Sequence, residues 1–277
     1  LKIFIGINHK MDLEKLFKKY NSDKSTHQYH KVYQSYLGPL KLKKLNILEI
    51  GVADGSSLKS WSKYFKNSKI IGIDIKKINL KKKKLKENNI FFHCGSQTDR
   101  SFLKEITNKY GKFDIIIDDG SHFPKDVIFT FKKLFNSLSL NGLYFIEDTQ
   151  TSYNHFFGGN PFDLKYANTH MNFFKNLTDT INYKEIPNPF YSNGKFDGLI
   201  KNISFYNNMI VIKKGVNNIE SNLVLNNSYE DKRFLTKISR NKKRKLRYFV
   251  KYKIFFRLYT LILFLFNLIK KIILFRF

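Results

Sequence analysis

The sequence predicts a doubly wound α/β fold: a mostly parallel sheet closed by a terminal antiparallel hairpin, followed by a basic, apolar helical tail. Three observations carry that expectation. Short apolar runs alternate with helix-period segments from Asn46 to Ile146, the pattern of βαβ units. A glycine-containing loop, Glu49-Ile50-Gly51-Val52-Ala53-Asp54-Gly55, follows the first apolar run and opens a helix. Two acidic clusters, Asp118-Asp119-Gly120-Ser121-His122 and Glu147-Asp148, each cap an apolar run one strand apart.

Leu13, Leu16 and Phe17 have helical spacing. A polar stretch from Asn21 to His30 and a second helix through Tyr36 follow, and Pro39 ends this N-terminal helical segment, residues 1–39. The α/β domain, residues 40–215, opens with a strand at Ile47–Ile50, the glycine loop and a helix reaching Phe65. Further strands are expected at Ile70–Ile75, Ile90–His93, Phe113–Ile117 and Leu143–Ile146, with helices at Ser101–Tyr110 and Lys125–Leu138. Residues 149–202 are polar and aromatic, broken by Gly158-Gly159, Pro161, Pro187 and Pro189, and read as an inserted substrate lid. Ile203–Tyr206 and Met209–Lys213, joined by Asn207-Asn208, form the hairpin. Asn-rich residues 216–232 read as a linker, and residues 233–277 as the tail.

A chain of 277 residues that is 42% hydrophobic can bury the core of one generous domain. Its net charge of +28 is uneven: from Glu230 onward, fifteen Lys and Arg stand against two acids. The remainder includes Lys76, Lys77, Lys81–Lys84 and Lys86. Basic surfaces of this kind attract phosphate-bearing substrates or anionic lipid. Cys94 is the single cysteine, which excludes an intrachain disulfide or Cys-based zinc site and fits a reducing compartment. It reads as a small buried hydrophobe. Leu1–Ile5 is too short for a signal-peptide core, so a cytoplasmic location is expected, with residues missing before Leu1 because no Met begins the chain. The apolar run Leu258–Ile269 is shorter than the roughly 20 residues of a membrane span. With its flanking Lys and Arg it reads as shallow insertion at an anionic membrane surface, on the inner face. The alternative is a helix docked on the domain or on a second copy in a homo-oligomer.

Neighbouring strand ends in an open α/β sheet converge on one crevice. Several carboxylates and an imidazole gathered there need a compensating cation, and Mg²⁺ suits oxygen ligands from separate elements. A helix-capping role accounts for the first acidic cluster but not for both. Gly51 and Gly55 let backbone approach a cofactor beside a helix N-terminus. Their spacing is not the G-x-G-x-x-G fingerprint, which disfavours NAD. Asp74, at the end of the second strand, is placed to bind ribose hydroxyls.

These residues carry a family resemblance. Ser22-Asp23-Lys24 with His27 and Tyr29, Ile47-Leu48-Glu49-Ile50-Gly51-Val52, Gly72-Ile73-Asp74, Gly95-Ser96-Gln97-Thr98-Asp99, Ile117–His122 and Ile146–Tyr153 recur in order. Over roughly residues 15–215 the chain resembles class I S-adenosylmethionine-dependent methyltransferases of the macrolide-sugar (mycinamicin) type and related cephalosporin-hydroxylase-like proteins. The resemblance implies a Rossmann-like methyltransferase sheet and an enzyme that methylates a sugar hydroxyl of a small molecule or lipid-linked glycan. It implies Asp119, Glu147 and Asp148 as Mg²⁺ ligands and His122 as general base. It further implies that Glu49, Gly51, Asp74, Ser96, Gln97 and Asp99 line the S-adenosylmethionine pocket; the role of Asp118 stays open. Two other readings remain: a nucleic-acid methyltransferase, suggested by the charge, and a membrane-recruited module that binds cofactor without turnover. The basic stretch leads into an apolar run rather than stacking platforms, which counts against the first. The intact acidic set counts against the second.

Overall fold

Apolar runs that are hydrophobic on both faces can be satisfied only in the middle of a layered fold, and the five central runs form such a sheet. The computed structural model describes residues 12–78, 87–186, 191–192 and 194–217, together with 258, 261, 262 and 265. Its strands are β1 (Asn46–Ile50), β2 (Lys69–Asp74), β3 (Ile90–Cys94), β4 (Phe113–Asp118), β5 (Leu138–Glu147), β6 (Ile200–Tyr206) and β7 (Met209–Lys214). They run in the order β3-β2-β1-β4-β5-β7-β6. The first five are mutually parallel, and β7 lies antiparallel between β5 and β6. The sheet and its hairpin are as expected. The chain divides into two compact units, Leu1–Ile181 with Gly198–Asn217, and Asn182–Asp197 with Asn218–Phe277. In the second, Tyr183–Glu185 form a short 3-10 turn and the Tyr191 hydroxyl donates to Asp197 at 2.8 Å. The strands β1 to β7 all belong to the first unit.

The N-terminal helices α1 (Leu13–Lys19) and α2 (Tyr29–Leu37) share a core with the sheet. Leu13, Leu16 and Phe17 meet Tyr33 and Leu37, and this layer closes on α3 (Ser56–Tyr64) and the β1–β4–β5 face. Aromatic rings set the geometry: Phe17 meets Trp61 edge-on at 5.0 Å, and Tyr33 meets Phe145 at 4.8 Å. Elsewhere α4 (Arg100–Tyr110), α5 (Pro124–Leu134) and α6 (His170–Asn176) complete the layers, with Phe131 of α5 packing on Tyr144 and Phe174. A last short helix, α7 (Thr178–Ile181), precedes β6.

Two expectations are corrected. The helix expected to reach Leu138 stops at Leu134, a 3-10 turn follows, and β5 begins at Leu138. Leu138 pairs with Phe113, and Asn141 at φ 65° helps turn the strand back into register. Cys94 is exposed rather than buried, because β3 is an edge strand. The expected insert contains α6 and α7 besides several 3-10 turns. Expectations about the lysines at 81–86 and almost all of residues 218–277 lie outside the described residues. Among the described residues, no helix is long and apolar enough to cross a membrane.

Phe145 is fully buried beneath Tyr33 and Tyr36. Phe145→Ala is expected to cost about 3–5 kcal/mol in urea unfolding. A loss below about 1 kcal/mol would contradict this packing.

Candidate active site

The strand order reverses between β1 and β4, and an α/β sheet opens its crevice at the carboxyl ends of such a pair. Here Ile50 pairs with Asp118, so the loops leaving both strands meet. Gly51 makes the meeting possible. It sits at φ 76°, and a Cβ there would lie 2.0 Å from the Asp119 carbonyl oxygen. The crossing borders a cavity of about 350 Å³ lined by Gly51, Asp74, Asp119, Gly120, His122 and Asp148, among others. Asn21, Ala53, His122 and Asp148 hold left-handed backbone (φ 44–60°) on its wall. Such conformations are costly away from glycine and cluster at functional sites.

The acidic clusters converge as expected. Asp119, His122 and Asp148 each offer one ligand atom, and these atoms lie within 4.8 Å of one another. His122 Nε2 stands 3.7 Å from Asp148 Oδ2, and the Thr151 hydroxyl donates to the His122 carbonyl at 2.8 Å. The Tyr29 hydroxyl donates to Asp148 Oδ1 at 2.6 Å; burial and that carboxylate hold the phenol well above its usual range. Glu147 lies deeper and outside the three-group cluster. Its Oε1 accepts from Lys24 Nζ at 2.7 Å and from the Tyr33 hydroxyl.

Lys24 is the residue that sequence reasoning left without a role. It is 1% exposed, and its ammonium lies 2.6 Å from Asp119 Oδ2, 2.7 Å from Glu147 Oε1 and 3.4 Å from Glu49 Oε1. Burial alone would drag this ammonium down, but Asp119, Glu147 and Glu49 together hold it well above the ordinary lysine value. Burial, and then the charge of Asp119, raise Glu147. Burial also raises Asp119, with Lys24 opposing.

The proposed cofactor residues separate into two groups. Asp74 lines this cavity and a second of about 290 Å³ that also includes Gly51, Ser96, Gln97 and Gly120. Its Oδ2 accepts from the Val52 and Ala53 amides at 3.0 Å each, so it fixes the glycine loop. Gln97 links the elements by accepting from the Ser121 amide at 2.7 Å and donating to Asp118 at 3.3 Å. Asp118, left open by the sequence, is buried on Tyr144 and Gln97, and burial pushes its carboxyl up to about 7. Glu49, Gly55 and Asp99 line neither cavity. Glu49 is fully buried on Ser57, Trp61 and Lys24; Gly55 precedes α3 at φ 86°; Asp99 caps α4 through the Ser101 and Phe102 amides.

His170 was also missed. It is fully buried at the start of α6, and neither ring nitrogen has a hydrogen-bond partner among the described residues. Burial lowers its pKa to about 4.

The oxygen-rich donor set fits a hard divalent cation, and the cavity is large enough for a nucleoside-sized ligand. The model of the FtsJ-like methyltransferase family matches residues 17–174. Mycinamicin VI 2''-O-methyltransferase of Micromonospora griseorubida is 34% identical over 220 residues, 76% of this chain and 54% of that protein. The 8-demethyl-8-(2-methoxy-alpha-L-rhamnosyl)-tetracenomycin-C 3'-O-methyltransferase of Streptomyces olivaceus is 32% identical over 217 residues, 74% of this chain and 54% of that one. Among solved structures, MycE methyltransferase from the mycinamycin biosynthetic pathway in complex with Mg and SAH superposes with a TM-score of 0.71 at 33% identity. That match covers 76% of this chain and 56% of the other. The chain thus spans about half the length of the curated relatives it matches.

The folded His170 stays neutral down to about pH 4, whereas an unfolded histidine takes up its proton near pH 6.5. Protons therefore favour the unfolded chain in that window, and stability falls as pH drops from about 6.5 to about 4, by at most about 3 kcal/mol. His170→Leu is expected to flatten this part of the urea-midpoint profile; an unchanged slope would assign it to other groups.

Proposed function

The chain belongs to the FtsJ-like methyltransferase family, and on that footing we propose that it transfers a methyl group from S-adenosylmethionine to a sugar hydroxyl with the help of Mg²⁺. The observation that carries the reading is the shared wall: Gly51 and Asp74 border the same cavity as the Asp119–His122–Asp148 cluster. The rhamnosyl group in one relative's name supports a sugar acceptor, as the Mg and SAH in the mycinamycin-pathway enzyme support the cofactors.

In this reading Gly51, Asp74, Ser96 and Gln97 border the methyl donor, while Glu49, Gly55 and Asp99 act from behind by holding the loops that do. Asp119 and Asp148, with Glu147 behind them, would hold the ion. Bound there, Mg²⁺ would supply orientation of the acceptor and a lowered hydroxyl pKa. His122 then accepts the hydroxyl proton as the oxygen bonds to the methyl carbon. The carbon–sulfur bond breaks in line and sulfur keeps the electron pair. Holding donor and acceptor in register supplies most of the remaining acceleration. The finer reading is a lipid-linked glycan met at the inner membrane face through residues 233–277, by a cytoplasmic enzyme. It rests on sequence charge and apolar pattern alone.

Calorimetric titration of S-adenosylmethionine into the purified chain, with and without Mg²⁺, tests the reading; a folded sample that binds none removes it. His122→Ala is expected to lower kcat roughly 10²–10⁴-fold while Mg²⁺ and S-adenosylmethionine affinities hold. A collapse of Mg²⁺ affinity in that variant would make the imidazole a ligand instead of the base.

A further inference from the structure

Lys24 reaches the site from the N-terminal segment, 95 residues from Asp119 and 123 from Glu147 in sequence. It engages one oxygen of each carboxylate, Asp119 Oδ2 and Glu147 Oε1. The second oxygens, Asp119 Oδ1 and Glu147 Oε2, carry no hydrogen bond among the described residues. Tyr33 doubles the hold on the occupied oxygen of Glu147, and Glu49, tied by Ser57 and Trp61, anchors the ammonium from the far side. Asp119 and Glu147 thus each have one oxygen committed to a buried cation and one left uncommitted.

We infer that Lys24 is a positioning residue for the divalent cation: a fixed internal ammonium that orients Asp119 and Glu147 from behind and stays in place when the ion binds. The inference rests on the proposed metal site. Because Lys24 occupies one oxygen of Asp119 and one of Glu147 and leaves the other of each open, ammonium and ion are complementary rather than exclusive. Groups that orient metal ligands from behind typically govern metal affinity about 10–100-fold.

The test is Mn²⁺ affinity of the full chain, read from the free-ion electron paramagnetic resonance signal. Cooperative melting and S-adenosylhomocysteine affinity serve as controls. Lys24→Met is expected to weaken Mn²⁺ binding about 10–100-fold while keeping both controls, and Lys24→Arg to recover part of the loss. Lys24→Gln, which retains a hydrogen-bond donor, takes its place if the Met variant does not melt cooperatively. Unchanged Mn²⁺ affinity would reduce Lys24 to a structural counter-ion. Tighter binding would make it a competitor that the ion must displace, and either result overturns the inference. If the wild-type chain itself binds no Mn²⁺, the metal reading fails and this inference with it; if only the variants match wild type, the metal reading stands.

Discussion

Negative charge gathered at the carboxyl ends of β1, β4 and β5 is the constraint that shapes this molecule. Parallel pairing puts Glu49, Asp119 and Glu147 within reach of one point, and the buried Lys24 ammonium sits there. Buried carboxylates without a partner would be severely destabilising, so the segment that delivers the ammonium belongs to the fold rather than decorating it. That dependence explains the aromatic layer. Phe17, Tyr33, Trp61 and Phe145 pin α1 and α2 to the sheet, and Tyr33 and Trp61 also donate hydrogen bonds to Glu147 and Glu49. Packing and charge neutralisation use the same side chains.

The two halves of the site are built differently. Next to Gly51 and Asp74 the walls are strand ends and loops tied by the Asp74 carboxylate and by backbone hydrogen bonds. Beyond Asp148 the wall passes into 3-10 turns, where Phe157 packs against His122 and Phe123. Phe156 and Phe162 stay 78% and 96% exposed on this side. Loops positioned on a fixed frame are where acceptor choice is usually made.

Much of the frame was legible because its signals are local. Apolar runs at Ile47, Ile70, Phe113 and Leu143 mark strands by composition, and Asp119, His122 and Asp148 follow strand ends where an α/β sheet opens. What was not legible depends on distant contacts. Lys24 is one of many lysines in a polar stretch, and only the docking of the N-terminal segment makes it the buried partner of three acids. Its place in the Ser22-Asp23-Lys24 motif was the one available signal. The family resemblance implies Glu49 and Asp99 at the cofactor, and the sequence does not show how each side chain is held. Trp61 and Ser57 draw Glu49 inward, and Asp99 is spent on the amides of α4. His170 gave no signal, since a histidine at a helix start reads as solvent-facing until α6 is seen packed against Phe131 of α5.

In the proposed reading one crevice holds methyl donor and metal side by side. Crystals of the chain grown with S-adenosylhomocysteine and Mn²⁺, measured for the manganese anomalous signal, test it most directly. An anomalous peak is expected at the carboxylates of Asp119 and Asp148, with the nucleoside against Gly51 and Asp74 in the same cavity. Manganese bound elsewhere, or a nucleoside outside that cavity while the acidic cluster stays empty, would contradict it.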